Sequence, residues 1–277
     1  MDRPAILRRC LESIAKGLRR PTQVIVSDDN PNGLKTRQVC DEFEGVRYVQ
    51  GPSKGLCANR NWVIAQSVTD YVSLLDDDAM VGEDFVLRAM AATADLPPNE
   101  ILTGAVIESE NRLVAPANST FLGHFGRPPS GRYENINLNC NLFPRAAFAH
   151  ASFDEHIAYG YEDMDLCSCL LARGFRIRYD PTLVNAHLPP EKAGTTQRRQ
   201  SLDRERARFY TSVKRYLLWE KAPIKLLLFL VVAPVHRAAH AIKARLWYDV
   251  PHCLPDIAFA VKMTCREAAR LKRSSPP

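Results

Sequence analysis

The chain has 277 residues, 46% of them hydrophobic and 25% charged, which gives ample material for one large globular domain or one domain with an appendage. The formal net charge of +6 is unevenly spread: residues 1–190 carry 19 Lys/Arg against 24 Asp/Glu, and residues 191–277 carry 18 against 7. The eight cysteines lie scattered, with no Cys-x-x-Cys, which excludes a disulfide framework and predicts reduced thiols in a cytosolic protein. The first sixteen residues are charged and amphipathic, which excludes a signal peptide at Met1.

Asp2 reads as a helix cap and Pro4 as a first-turn residue. Ile6, Leu7, Cys10, Leu11 and Ile14 then recur at helical spacing, predicting an amphipathic helix over 4–17. Gln23 to Ser27 is a short β-branched run that ends in Asp28-Asp29-Asn30-Pro31-Asn32-Gly33, a turn. A helix over 34–43, a strand over 46–50, a Gly/Pro loop and a helix over 56–67 follow. Tyr71 to Leu75 suits a buried strand, and it runs into Asp76, Asp77 and Asp78. Three carboxylates at a sheet's mouth are costly unless a positive charge sits among them, and a hard divalent cation is one candidate. A solvated acidic turn is the alternative. The alternation of helix and strand predicts a mostly parallel, layered α/β sheet, in which ligands lie beyond the carboxyl ends of strands. Asp28-Asp29 and Asp76–Asp78 both fall at such ends.

A helix over 83–94 and a strand over 101–109 come next, then an irregular Gly/Pro/Asn-rich excursion over 110–134. Ile136 to Phe143 alternates apolar residues with Asn137, Asn139 and Asn141, predicting a strand whose amide face lines either a sugar site or solvent. Glu162, Asp163 and Asp165 open a helix that runs to about Arg173, with Gly174 as its stop. Acidic residues in a first turn are favoured by the helix dipole, but three in four positions exceed what capping requires. Two further strands, 175–179 and 183–187, end at His187. Beyond Pro190 the sequence turns basic. Ile224 to Val232 is strongly apolar between Pro223 and Pro234, too short to span a bilayer, and reads as part of an interfacial helix pair or as a hydrophobic arm packed on the body or on a second subunit. Residues 271–277 are predicted to be disordered.

Five stretches together resemble a family 2 inverting glycosyltransferase of the GT-A fold: Asp2-Arg3-Pro4 leading into Leu7–Ser13, Val24–Asn30, Gly55–Asn61, Leu74–Asp78, and Tyr161–Leu166 with Gly174. The resemblance implies a Rossmann-like sheet over 1–190 and leaves 191–270 as a basic helical appendage. It matches Asp28 and Asp29 to a pair that contacts the base and ribose of a nucleoside-diphosphate sugar, and Arg60 to a position near that nucleotide. Asp76, Asp77 and Asp78 match an Asp-x-Asp motif, in which Asp76 contacts ribose or metal and Asp78 ligates Mg²⁺ or Mn²⁺. His187 matches an additional metal ligand. Asp163 matches the general base, with Glu162 as the second choice. The chemistry agrees: a cation stabilises a departing diphosphate, and a carboxylate on the other side of the sugar takes the acceptor's proton.

Relatives begin with a strand just ahead of the segment matched by Asp2-Arg3-Pro4, in the middle of the sheet. That strand is expected to be missing here, through a misplaced start, and each backbone group left unpaired would cost about 1–3 kcal/mol. An in-frame stop codon immediately before Met1 would sink that explanation. The implied function is sugar transfer to a glycan or lipid-linked acceptor in cell-surface polysaccharide or glycolipid synthesis. The expected location is the cytoplasm, at the inner face of the plasma membrane, with residues 211–250 against anionic lipid. The alternative is a catalytically impaired member that serves as a membrane-associated partner. A nucleic-acid partner is not expected, because the basic tail is mixed with an apolar run and lacks base-readout motifs.

Overall fold

A computed structural model describes residues 3–108, 111–188 and 194–274. Helix α1 (Pro4–Ala15) begins at Arg3, with Pro4 in its first turn, and buries Leu7, Cys10, Leu11 and Ser13 at the spacing read from the sequence. The cap assigned to Asp2 lies outside the described residues. Strand β1 (Val24–Asp28) pairs in parallel with β2 (Val46–Gln50), and helix α2 (Leu34–Asp41) connects them. Leu7, Leu11, Val39 and Cys40 form a small core of their own, with Val24, Val26 and Val46 packed on it. Helix α3 (Leu56–Ala65) then leads into the principal sheet.

That sheet is six-stranded, built from β3 (Tyr71–Val72), β4 (Ala79–Met80), β5 (Glu100–Ile107), β6 (Leu113–Val114), β7 (Asn141–Pro144) and β8 (Arg176–His187). Its order is β3-β7-β5-β8-β4, with β6 on β5. The long ladders, β1 with β2 and β5 with β8, are parallel, and the short pairings are antiparallel. Helix α4 (Phe85–Thr93) and helix α5 (Glu162–Ala172) flank the sheet, giving the mixed, mainly parallel GT-A arrangement. The β1–β2 pair is a separate sheet, and β3 stands at the edge of the larger one. The sheet is therefore divided beside the Asp70–Met80 stretch.

Three local expectations are corrected. The strand read over 71–75 pairs only through Tyr71 and Val72. Beyond it the Asn141 side chain takes over the pairing: its Oδ1 accepts from Leu74 N at 3.0 Å, and its Nδ2 donates to Leu74 O at 2.9 Å. The alternating 136–143 segment is mostly a turn, stranded only from Asn141, so its asparagines line no common face. Their amides serve backbone instead: Asn137 donates to Gly104 O and Val114 O, and Asn139 accepts from Asp76 N at 2.8 Å. The two strands read over 175–187 are one, because Asp180 and Pro181 fall in a register shift between Tyr179 and Val184 against β5.

Helix α6 (Gly194–Lys214) continues through a π-helical turn (Arg215–Trp219) towards α7 (Pro223–Lys243), and α8 (Cys253–Ser274) closes the chain. The predicted helix pair around 224–232 is a single helix running through Pro234. Interior proline removes a backbone hydrogen bond, but Phe229, Ala233, Arg237 and Ala241 pack one continuous face on both sides of it. Among the described residues α7 is one helix of 21 residues that is long and apolar enough to cross a bilayer, by length and composition. Helix α8 extends to Ser274, past the start of the predicted disordered tail at 271; residues 275–277 lie outside the described residues.

Candidate active site

The site lies where β1, the β3–β4 turn, the end of β8 and the start of α5 meet. Asp28 closes β1 and is 8% exposed. Its Oδ1 accepts from Asn30 N at 2.9 Å, whereas its Oδ2 is buried with no hydrogen-bond partner. That free acceptor suits a ligand hydroxyl or N–H. Both oxygens of Asp29 are engaged by the loop ahead of α3: Ser53 N donates to Oδ1 and Gly55 N to Oδ2, each at 2.6 Å. The loop can come this close because residue 51 is glycine; a Cβ there would lie 2.9 Å from Asp29 Oδ1 and 2.3 Å from Asn59 Oδ1.

Asp76, Asp77 and Asp78 sit in a turn closed by Ala79 N donating to Asp76 O at 3.1 Å. The positive charges that such a cluster needs are three side chains. Arg3, at the start of α1, donates to both oxygens of Asp77 and, at 3.0 Å, to Asp78 Oδ2. Antiparallel pairing of β4 with β8 sets His187 opposite Ala79, and His187 Nε2 lies 3.2 Å from Asp78 Oδ1. Arg60, buried on α3, donates to Asp76 Oδ1 at 2.7 Å and to Glu162 Oε1 at 2.6 Å. Burial works against the Asp78 charge, but His187 and Arg3 outweigh it and hold the carboxyl below its ordinary range. Asp77 goes the other way: desolvation, with Asp78 and Asp76 alongside, raises it despite Arg3. The hydrogen bond to Asp78 raises His187.

Helix α5 starts under strain. Gly160 has φ +79° and Tyr161 has φ +65°, a left-handed conformation that a tyrosine rarely adopts. Tyr161 is held there by burial and by stacking on Phe125 at 5.1 Å between centroids. The next two residues are Glu162 and Asp163. Glu162 is buried against Arg60, with Oε2 unpartnered. Asp163 remains partly exposed and accepts from Asn135 Nδ2 at 3.3 Å. Desolvation and the neighbouring Glu162 charge push Asp163 up to about 7, the range in which a carboxylate works best as a base at neutral pH.

Of the metal ligands expected from the sequence, Asp78 and His187 are brought together, while Asp76 is turned to Arg60. Among the described residues no three His, Cys, Asp or Glu side chains converge in a metal-binding group. One carboxylate and one imidazole are donors that Mg²⁺ or Mn²⁺ accepts, the remainder coming from diphosphate and water. Arg60 links two acidic centres through its ion pairs to Asp76 and Glu162. Arg3 lies in a matched stretch without a site role of its own, and Asn135 carries no motif; only the excess of carboxylates over visible counter-charge pointed to the need for an Arg3. Asn139 and Asn141, read on a face that lines a sugar site or solvent, serve the backbone around Asp76 and Leu74 instead.

The glycosyl transferase family 2 profile matches residues 2–157, more than half of the chain. The pre-mycofactocin glycosyltransferase of Mycobacterium tuberculosis (strains CDC 1551 / Oshkosh and ATCC 25618 / H37Rv) is 31% identical over 209 residues, 65% of this chain. The chain spans 39% of the length of those relatives. Among solved structures, the mannosyltransferase PcManGT of Pyrobaculum calidifontis, in complex with GDP-Man and Mn²⁺, is 14% identical and shares the fold with a TM-score of 0.57 over 97% of this chain and 77% of its own. GalNAc-T7 with UDP, GalNAc and Mn²⁺ is 15% identical, with a TM-score of 0.57 over 76% of this chain and 48% of its own. The chain belongs to glycosyl transferase family 2.

Proposed function

We propose that the enzyme transfers a sugar, with inversion, from a nucleoside diphosphate to a hydroxyl of a glycan or lipid-linked acceptor. The observation that carries this reading is the pair of acidic centres joined through Arg60, one rich in counter-charge and one bearing a carboxyl near neutrality. Asp28, with its unpartnered Oδ2, and Asp29 receive the nucleoside. Asp78 and His187 would hold a divalent cation, which would neutralise the departing diphosphate, with Asp76 and Asp77 as the adjacent carboxylates; Arg3 competes for Asp77 and Asp78. Asp163 accepts the acceptor's proton, and Glu162 anchors the start of α5 to Arg60. Hydrolysis of nucleotide sugars, screened with and without Mn²⁺, tests the reading. Asp163→Asn should lower turnover by about 10²–10⁴-fold while nucleotide binding persists. Absence of turnover with every donor would favour a catalytically impaired binding partner, to which Arg3 clamped on Asp77 and Asp78 lends support.

We further propose that the enzyme works in cell-surface polysaccharide or glycolipid synthesis, at the cytoplasmic face of the plasma membrane. Ile224, Leu227, Val231 and Val235 form an outward apolar stripe on α7, between 62% and 76% exposed. The opposite face, Phe229, Ala233, Arg237 and Ala241, is packed on protein, so lipid can meet only one side of the helix. Lys243 and Arg245 are exposed at its end. Binding to anionic vesicles should weaken with salt and be lost in Leu227→Asp/Val231→Asp, whereas equal binding to neutral vesicles would overturn the anionic part of the reading.

A further inference from the structure

Two partly open cavities stand out among the described residues. The larger, about 440 Å³, runs between α3 and the 145–149 turn, away from the carboxylates. The smaller, about 250 Å³, lies between α5, the end of α6, the π-helical turn and the 119–135 excursion. Met164, Leu171 and Trp219 give it apolar walls, and Ser119, Ser168 and Asn135 give it polar ones. Three of its lining groups have polar atoms buried without a hydrogen-bond partner: Asn135 Oδ1, on a residue 2% exposed, Trp219 Nε1, and Arg215 Nε, which meets Glu220 only as an ion pair. The first is an acceptor and the second is a donor. An unmet buried pair of this kind is costly, and a cavity of this size has room for about eight waters at ~30 Å³ each, or for one ring-sized ligand.

The lining charges balance, with Arg132 and Arg215 against Glu134 and Glu220, and Arg215 Nε lies 3.1 Å from Glu220 Oε1. A neutral ligand is therefore favoured over an anion. It must offer both donors and acceptors, and it must have an apolar face to lay on Met164, Leu171 and the indole. A polyhydroxylated ring meets all three demands, since each hydroxyl donates once and accepts twice. Asn135 lines the cavity and also touches the proposed base: its Nδ2 donates to Asp163 Oδ2 at 3.3 Å, and its Oδ1 is buried without a partner.

We propose that this cavity is a sugar subsite on the acceptor side, which takes one ring of a glycan and through Asn135 aligns the Asp163 carboxylate. The proposal rests on the transferase reading for its catalytic part; binding of the ring does not. Exposed Arg132, Glu134 and Glu220 mark the opening through which the rest of a glycan would extend. Asn135 is a positioning residue in this scheme, and Trp219 and Ser168 are binding residues.

The test uses the full chain, titrated with methyl hexosides of gluco, galacto and manno configuration, and follows tryptophan fluorescence and thermal shift. Two variants report on the site. Trp219→Phe keeps an aromatic wall but removes the N–H, and Ala172→Phe grows into the cavity from an exposed position at the end of α5. At least one hexoside should give saturable binding to the parent. Binding should weaken roughly three- to tenfold in Trp219→Phe, the worth of one hydrogen bond, and vanish in Ala172→Phe. With a competent acceptor, both variants should raise acceptor KM, and in Ala172→Phe donor hydrolysis without acceptor should stay within twofold. No saturable binding, or binding indifferent to both variants, would show a water-filled cavity and overturn the subsite. Failure of the parent to hydrolyse any nucleotide sugar would instead overturn the transferase reading, with hexoside binding still deciding the subsite.

Discussion

Asp163 is the residue on which the proposed chemistry turns, and its environment fixes a pH dependence. Desolvation and Glu162 raise its carboxyl, while the hydrogen bond from Asn135 favours the charged form and lowers it. The ionised base therefore accumulates as pH rises through about 7. A pH–rate profile of kcat/KM should climb with a limb near that value, and Asn135→Ala should move the limb to higher pH. Arg60 supplies a second case. It is 8% exposed and bridges Asp76 to Glu162, so Arg60→Ala strands two carboxylates, one of them buried. Urea unfolding should show a loss of about 3–5 kcal/mol, the range for breaking a buried pair from one side. The carboxylates at strand ends were legible in the sequence because each cluster is local. Their counter-ions were not: Arg3 lies 74 positions from Asp77, and Arg60 lies 102 from Glu162. Such partners become visible only when the sheet and helices are assembled.

At the level of elements, α5 is clamped from behind. Lys214, at the end of α6 and 2% exposed, reaches Asp165 on α5 at 2.8 Å, Asp154 at 2.6 Å and Glu267 on α8 at 3.2 Å. Tyr210 adds a hydrogen bond to Asp154 at 2.7 Å. Lys214→Met should cost about 3–5 kcal/mol, because it leaves buried carboxylates unpaired. The pH dependence of stability has two opposed parts. Burial opposes the Asp154 charge, but Lys214 overcomes it and holds the carboxyl well below its ordinary value, so that its contribution is present above about pH 4 and lost as pH falls further. Burial raises Asp165 to about 6, so its ionisation is a cost at neutral pH, relieved as pH falls through that value. Urea midpoints should therefore rise slightly from pH 7 to about 5 and fall below about 4, and Lys214→Met should reduce the fall, leaving the part that Asp78 contributes. The α5 boundaries were readable from its acidic start and Gly174. The length of α7 was not, since Pro234 reads as a stop and only its packing partners override it.

At the scale of the molecule, the acidic body and the basic rear share one hydrophobic core. Phe209, Tyr210, Val213, Tyr216 and Phe229 share a single core with Phe153, Ile157, Met164 and Leu166. The change in composition after Pro190 marks a shift of charge, and the hydrophobic contacts cross it. A chain ending at 190 should lose cooperative unfolding in calorimetry, because it exposes that core and removes Lys214 from Asp154 and Asp165. The divided sheet has the opposite effect at the other end. Asp28 and Asp29 stand on a two-stranded sheet, a unit that is marginal by itself, with a small core of its own. It is joined to the rest by Arg3, by Val81 N donating to Ser13 Oγ at 2.9 Å, and by Leu18 N donating to Glu83 O at 2.7 Å. Backbone amides of β1 and β2 should accordingly exchange with deuterium far sooner than those of the buried β5–β8 ladder. A nucleotide that bridges Asp28 to the Asp76–Asp78 turn would slow that exchange across the whole N-terminal lobe, making donor binding an ordering event as much as a docking one.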